Sequence, residues 1–203
     1  DEKEIKPLKE VVESLSSYST AQLSSKEIDY SRALLQTETK EVGKQKVQIH
    51  RLSIPRGETF KVVLSEGTEV FLNSDSRLAY PTVFKGKERV VSLEGEAYFK
   101  VAKDAAHPFI VKSGNLQIRV LGTEFNVRSY SPTDVRVTLI TGKVAVSDTC
   151  GVHSVEMVPG QSVQLSSDGT FVVNEVDIES FLYWKEGFFY FDDVALVDMM
   201  KEI

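Results

Sequence analysis

Arg89-Val90-Val91-Ser92-Leu93-Glu94-Gly95-Glu96-Ala97-Tyr98-Phe99-Lys100-Val101-Ala102 is the stretch that decides the fold. Ala97, Phe99 and Val101 alternate with Glu96, Tyr98 and Lys100. A strand sends successive side chains to opposite faces, so a period of two marks a half-buried strand and argues against a helix. The same alternation recurs on both sides. Phe60, Val62 and Leu64 precede it; Leu116, Ile118 and Val120, then Phe125 and Val127, then Val135, Val137 and Leu139 follow. Val144 and Val146, Val155 and Met157, Val163 and Leu165, and Phe171 and Val173 extend it. β-Branched residues dominate these runs, as packing on a pleated surface favours. One apolar face is shared by Phe99, Val101, Phe125, Val127 and Leu139, which are expected to be buried together.

Glycines at 67, 86, 95, 114, 122, 142, 160 and 169 are expected near strand starts or between strands, and Pro55, Pro81, Pro108, Pro132 and Pro159 fall at the edges of runs. Ladder hydrogen bonding requires that punctuation. The fold class is therefore all-β, with many short and mostly antiparallel strands in a sandwich or a solenoid-like scaffold. Glu66-Gly67-Thr68-Glu69-Val70-Phe71 echoes Leu121-Gly122-Thr123-Glu124-Phe125, which is consistent with similar stacked units and equally with any repeated turn-then-strand pattern.

The two ends of the chain read differently. Residues 1–46 are rich in Glu, Lys and Ser, with Val11, Leu15 and Tyr18 at helical spacing, and are expected to form a weakly structured arm. The β domain is expected over 47–187. Asp177 is positioned to cap a helical turn, and Asp192 or Asp193 to cap a helix carrying Val194, Val197 and Met200 on one face. Short helical segments are thus expected at the C-terminal end.

Composition narrows the chemistry. Among 203 residues the formal charge is −6 and the basic residues are interspersed with acidic ones, which disfavours nucleic acid. The single cysteine, Cys150, allows no disulfide within the chain. No run approaches the roughly 20 apolar residues of a membrane span, and Asp1 opens a charged segment unlike a signal peptide. His50, His107 and His153 stand far apart, without zinc-type spacing. Glu94 and Glu96 lie two apart on one strand and read as neighbours on a polar face. Asn73-Ser74-Asp75-Ser76-Arg77 lacks the downstream Gly and Glu of a calcium loop. No catalytic residue, cofactor site or metal site is assigned, and an enzyme is not expected. The aromatic cluster from Trp184 through Phe189 and Phe191 is either core or a partner-binding surface.

The segment from Pro55 to Phe191 resembles the FecR family over about two thirds of the chain. The carrying stretches are Leu64-Ser65-Glu66-Gly67-Thr68 leading into Phe71-Leu72-Asn73 and ending in Leu78-Ala79-Tyr80-Pro81; Arg89 to Ala102; His107-Pro108-Phe109; Val120 to Val127; Gly142-Lys143-Val144; Pro159-Gly160-Gln161; and Trp184-Lys185-Glu186-Gly187. Glu66 stands where the family has Asp, and Phe71 where it has Trp.

The resemblance implies the periplasmic part of an anti-sigma factor, anchored to the inner membrane by a span outside this chain. Its partners would be the signalling domain of a TonB-dependent outer-membrane transporter and, through a cytoplasmic part, an ECF-type sigma factor whose transcription it regulates. Residues 188–203 would open a secretin/TonB-like docking subdomain, and 1–46 would be a juxtamembrane arm. Trp184, Phe189, Phe191, Val194, Val197 and Met200 would then be the partner-binding residues. Two other classes compete. A carbohydrate-binding or adhesin-like module needs exposed aromatic platforms, for which Tyr80, Tyr98 and Tyr130 are the candidates. A cupin-like metalloenzyme needs the clustered histidines that the chain lacks.

Overall fold

A computed structural model of the chain describes residues 22–24, 27–29, 49–131, 134–166, 169–179 and 184. The described residues form fifteen strands. They are β1 (Gln22–Ser24), β2 (Glu27–Asp29), β3 (Ile49–Ser53), β4 (Phe60–Val63), β5 (Glu69–Leu72), β6 (Arg77–Pro81), β7 (Arg89–Lys100) and β8 (Phe109–Ser113), then β9 (Leu116–Val120), β10 (Glu124–Ser131), β11 (Asp134–Thr141), β12 (Val144–Asp148), β13 (Ser154–Met157), β14 (Gln161–Leu165) and β15 (Phe171–Glu175).

The strands make two sheets that share β7. The front sheet runs β1-β2-β4-β5-β7-β10-β11-β14-β15. The back sheet runs β3-β6-β7-β8-β9-β12-β13. Pairing is antiparallel except for β2 with β4 and β7 with β8. The first part of β7, up to Glu94, lies between β6 and β8 in the back sheet, while Gly95 to Lys100 lies between β5 and β10 in the front sheet. One core fills the space between the two inner faces. Phe99 stacks on Phe125 at 5.1 Å and meets Phe109 of the back sheet at 6.1 Å. Leu52, Leu78, Leu93, Ile118 and Val144 join them from the back, and Val62, Leu72, Val137 and Val163 from the front. Each such side chain contributes about 1.5–3 kcal/mol by leaving water. The architecture is a sandwich with a shared strand, and Phe99, Val101, Phe125, Val127 and Leu139 are buried in it together, as their alternation indicated.

Gly95 corrects one expectation. It stands in the middle of β7, not at a strand boundary, with φ +92° where the strand passes from one sheet to the other. A Cβ there would lie 2.7 Å from Ser76 Cα. The backbone can take that conformation and that approach only because the residue has no side chain.

The internal echo also acquires a position. Gly67 to Leu72 and Gly122 to Val127 flank β7 on its two sides in the same register. Glu69 and Glu124 both face Lys100, Val70 and Phe125 both face Phe99, and Leu72 and Val127 both face Ala97. The two similar segments embrace one strand; they are not successive coils of a stack.

At the chain ends, β1 and β2 fall within the arm read from the sequence, and β2 adds to β4. Asp177 caps the turn expected of it by accepting the Glu179 N–H at 3.1 Å. The short C-terminal helices are not seen among the described residues. The helix expected beyond Asp192 lies outside them.

Candidate functional site

The residues that suggested chemistry do not converge. His50 lies on β3, edge-on to Tyr80 at a centroid distance of 5.8 Å. His107 bonds Asp104 within the loop after β7, Nδ1 to Oδ2 at 2.8 Å. His153 bonds Asp148 across the β12–β13 turn at 2.9 Å. These bonds hold both carboxyls below their ordinary range, aided by backbone N–H donors; partial desolvation opposes the effect and is the largest single influence on Asp148. Cys150 is exposed in the same turn. Among the described residues no group of three His, Cys, Asp or Glu side chains is placed to hold a metal. None of their helices is long and apolar enough to cross a membrane.

Burial lowers the pKa of His50 from 6.5, so the fold favours its neutral form. The folded pKa lies below the unfolded one. His50 therefore costs no stability above about pH 6.5 and costs progressively more as the pH falls below it. Urea midpoints measured from pH 7.5 down to 5.5 should decline, and His50→Gln should flatten that decline. An unchanged slope in the variant would remove His50 as its source.

Glu94 and Glu96 share an outward parity on β7 but differ in surroundings. Glu94 is exposed and bonded to Arg77 at 3.2 Å. Glu96 is buried, and its carboxylate accepts the side-chain amides of Asn126 at 2.8 Å and Asn73 at 3.0 Å. Its backbone N–H donates to Ser76 Oγ, which donates back to the Glu96 carbonyl. The stretch Asn73 to Arg77, read against a calcium loop, thus forms the seal around the bend of β7. Sequence reading missed this cluster. The signal available was an Asn on each side of Glu96, Asn126 within β10 and Asn73 directly after β5.

Arg89 pins the opposite end of β7. It is buried, and Nε donates to the His107 carbonyl at 2.8 Å. Nη1 donates to the Ala102 carbonyl at 3.1 Å and to Glu66 Oε1 at 3.3 Å. The guanidinium also lies 5.3 Å from the Phe109 ring centroid. One planar fork thereby ties the β4–β5 turn, the loop after β7 and the start of β8. Both clusters make β7 a rigid connection between the sheets.

Two of the three candidate platforms for a sugar are unsuitable. Tyr80 and Tyr98 are buried, and Tyr98 donates to Glu124 at 2.6 Å. Tyr130 is exposed, but its hydroxyl donates to the Ser74 carbonyl at 2.9 Å and Arg128 covers its ring at 5.4 Å.

Of the six expected partner-binding residues, Trp184 is described and is half-buried. Phe189, Phe191, Val194, Val197 and Met200 lie outside the described residues. What the described chain does show is where they start from. β1 and β15 are the first and last strands of the front sheet, so the described β domain ends at opposite edges of one sheet. Val172 and Val173 on β15 are exposed beside the exit toward Trp184.

A rigid β scaffold bounded by two chain segments, with no metal cluster among its described residues, is the class of molecule this geometry defines. The sequence pattern of the FecR protein family matches residues 50–145. Two crystal structures of a candidate anti-sigma factor from Parabacteroides distasonis ATCC 8503 superpose with TM-scores of 0.69 at 30% identity, covering 76% and 75% of this chain and 73% and 72% of theirs. No curated protein matches. The chain belongs to the FecR family of anti-sigma factors.

Proposed function

We propose that this domain is the periplasmic relay of a membrane-anchored anti-sigma factor, and that it reports the state of a TonB-dependent outer-membrane transporter to an ECF-type sigma factor. The observation that carries the proposal is the placement of β1 and β15 at opposite edges of the front sheet. A scaffold with that layout separates a membrane-side segment from a transporter-side segment. It passes on a binding event by shifting as one body, because packed cores move between discrete arrangements and do not deform smoothly. Catalysis has no part in the reading.

The transporter side is assigned to Trp184 and the aromatic and apolar residues after it. Val194, Val197 and Met200 fall at helical spacing in the sequence; a helix of about 10 residues carrying them would be marginal alone in water and would need a further partner surface. The test is titration calorimetry with the signalling domain of a TonB-dependent transporter encoded beside this gene. The 203-residue chain should bind weakly or not at all. A chain extended at its C-terminus by about 50 residues, one small domain, should bind measurably. Equal affinity for both lengths would place docking on the β domain and overturn the assignment.

A further inference from the structure

The two sheets of this sandwich differ on their outer faces. At the centre of the front sheet Asn126, Thr138 and Ser162 are buried. The back sheet instead carries an open cleft of about 480 Å³ over β3, β6 and the first part of β7. Strand register explains its shape. The outward side chains lie in two rows across the strands. One row is small in the middle and cationic at its ends: Arg51 faces Ala79, Ala79 faces Ser92, and Ser92 lies beside Lys112. The other row is apolar, with Ile49 facing Pro81 and Val90 beside Ile110. Ala79 and Ser92 are too small to fill the floor between the rows, which leaves it hollow. The far wall is the loop after β6, residues 82–88. Phe84 anchors that loop against the core ring of Phe109 at 6.2 Å, and Glu88 ties it to Arg119 of β9 at 2.7 Å. The cleft is therefore preformed, and its volume falls within the roughly 300–1,000 Å³ of small-ligand sites.

Charge selects the ligand. The whole chain carries −6, yet this surface is basic. The acidic side chains beside the cleft are already matched, Glu88 by Arg119 and Glu94 by Arg77 at 3.2 Å. Arg51, Lys85, Lys87 and Lys112 are exposed around it, and among the described residues neither Arg51 nor Lys112 has an acidic partner. Size selects it too. A standard protein interface takes about 800 Å² from each partner around an apolar centre. Here Ile49 is exposed but Ile110 is buried, so the face offers a small apolar floor and no broad apolar patch.

We propose that this cleft binds a small amphipathic anion, a molecule with a compact apolar body and one carboxylate or phosphate group. The body lies on Ala79, Pro81 and Val90, in contact with Ile49. The anionic group is held by Arg51, whose planar fork of donors matches the oxygens of a carboxylate or a phosphate. Ser92 supplies a hydroxyl at the floor, and the loop that carries Lys85 closes the other side. The site is independent of the relay reading, and its failure would leave that reading intact.

Amide NMR of the 203-residue chain, titrated with octanoate and with octyl phosphate, tests it. Octanol is the uncharged comparison. At least one anion should give saturable shifts centred on residues 49–51 and 79–92, and the anion that does so identifies the head group. Octanol should bind at least about tenfold more weakly, the worth of one charge-assisted hydrogen bond. Arg51→Gln should weaken the anion by the same factor of about ten. Ser92→Trp, which fills the floor, should abolish binding. Both positions are exposed, so neither change should move the melting temperature appreciably. Added salt should weaken the anion and leave octanol unchanged, because partly exposed charges are screened. The proposal is overturned if neither anion saturates, if the shifts map instead to Val172 and Val173, or if octanol binds as tightly as the anions. Parental affinity in both Arg51→Gln and Ser92→Trp overturns it as well. So does tighter binding of a glutamate-rich peptide that Ser92→Trp does not disturb, which would make this face a protein-docking surface.

Discussion

Gly95→Ala should destabilise the domain by about 3 kcal/mol, combining about 1–3 kcal/mol for a side chain held at positive φ with a similar cost for overpacking. The added methyl would meet Ser76 Oγ at 2.5 Å and Ser76 Cα at 2.7 Å. Moving Ser76 would disturb its bonds to the Glu96 backbone, so relaxation has little room. In thermal unfolding this corresponds to a drop of roughly 6–12 °C for a chain of this size. Gly151→Ala is the natural comparison. Its φ is also positive, at +70°, but nothing lies within 4 Å of the new methyl. It should show the conformational cost without the contact. Equal losses at the two positions would mean that Ser76 yields freely and that β7 is not clamped at its bend.

Phe99→Ala should cost about 3–5 kcal/mol, the range for truncating a fully buried Phe. Phe99 is the ring on which both sheets meet, stacked on Phe125 within the front sheet and tilted against Phe109 across the core. A double-mutant cycle of Phe99→Ala with Phe125→Ala should reveal a coupling of about 0.5–1.5 kcal/mol from the ring pair itself. Guanidinium midpoints measure all three variants. Additive losses would show that the rings merely fill volume.

The inner face of this fold was legible because alternation is a local signal. Phe99, Val101, Phe125, Val127 and Leu139 declare themselves within their own strands. Pairing is not local. Nothing in Phe109-Ile110-Val111, a continuous apolar run without alternation, shows that β8 lies parallel to β7. Gly95 reads as punctuation because a mid-strand glycine with positive φ looks the same in sequence as a turn glycine. The outer face misled for a related reason. Asn126, Thr138 and Ser162 alternate with core residues and carry polar groups, so they resemble solvated positions, and only the assembled sheet shows them dry. The pattern around Trp184 suggested docking residues, but five of the six lie outside the described residues, and a stripe of apolar positions does not say what it packs against.

The separation of β1 and β15 also sets how the domain answers a pull. Tension applied through its two ends runs across the strands of the front sheet and loads each ladder one rung at a time, an unzipping geometry that yields at low force. The outermost ladders are short, with three register pairs each for β1 with β2 and β2 with β4. The centre is held by six pairs between β7 and β10, and β7 is anchored again in the back sheet. A molecule tethered at both ends would therefore peel from its N-terminal edge first, paying out the arm while the shared strand and its core stay folded: a slack-adjusting tether in series with a stiff body.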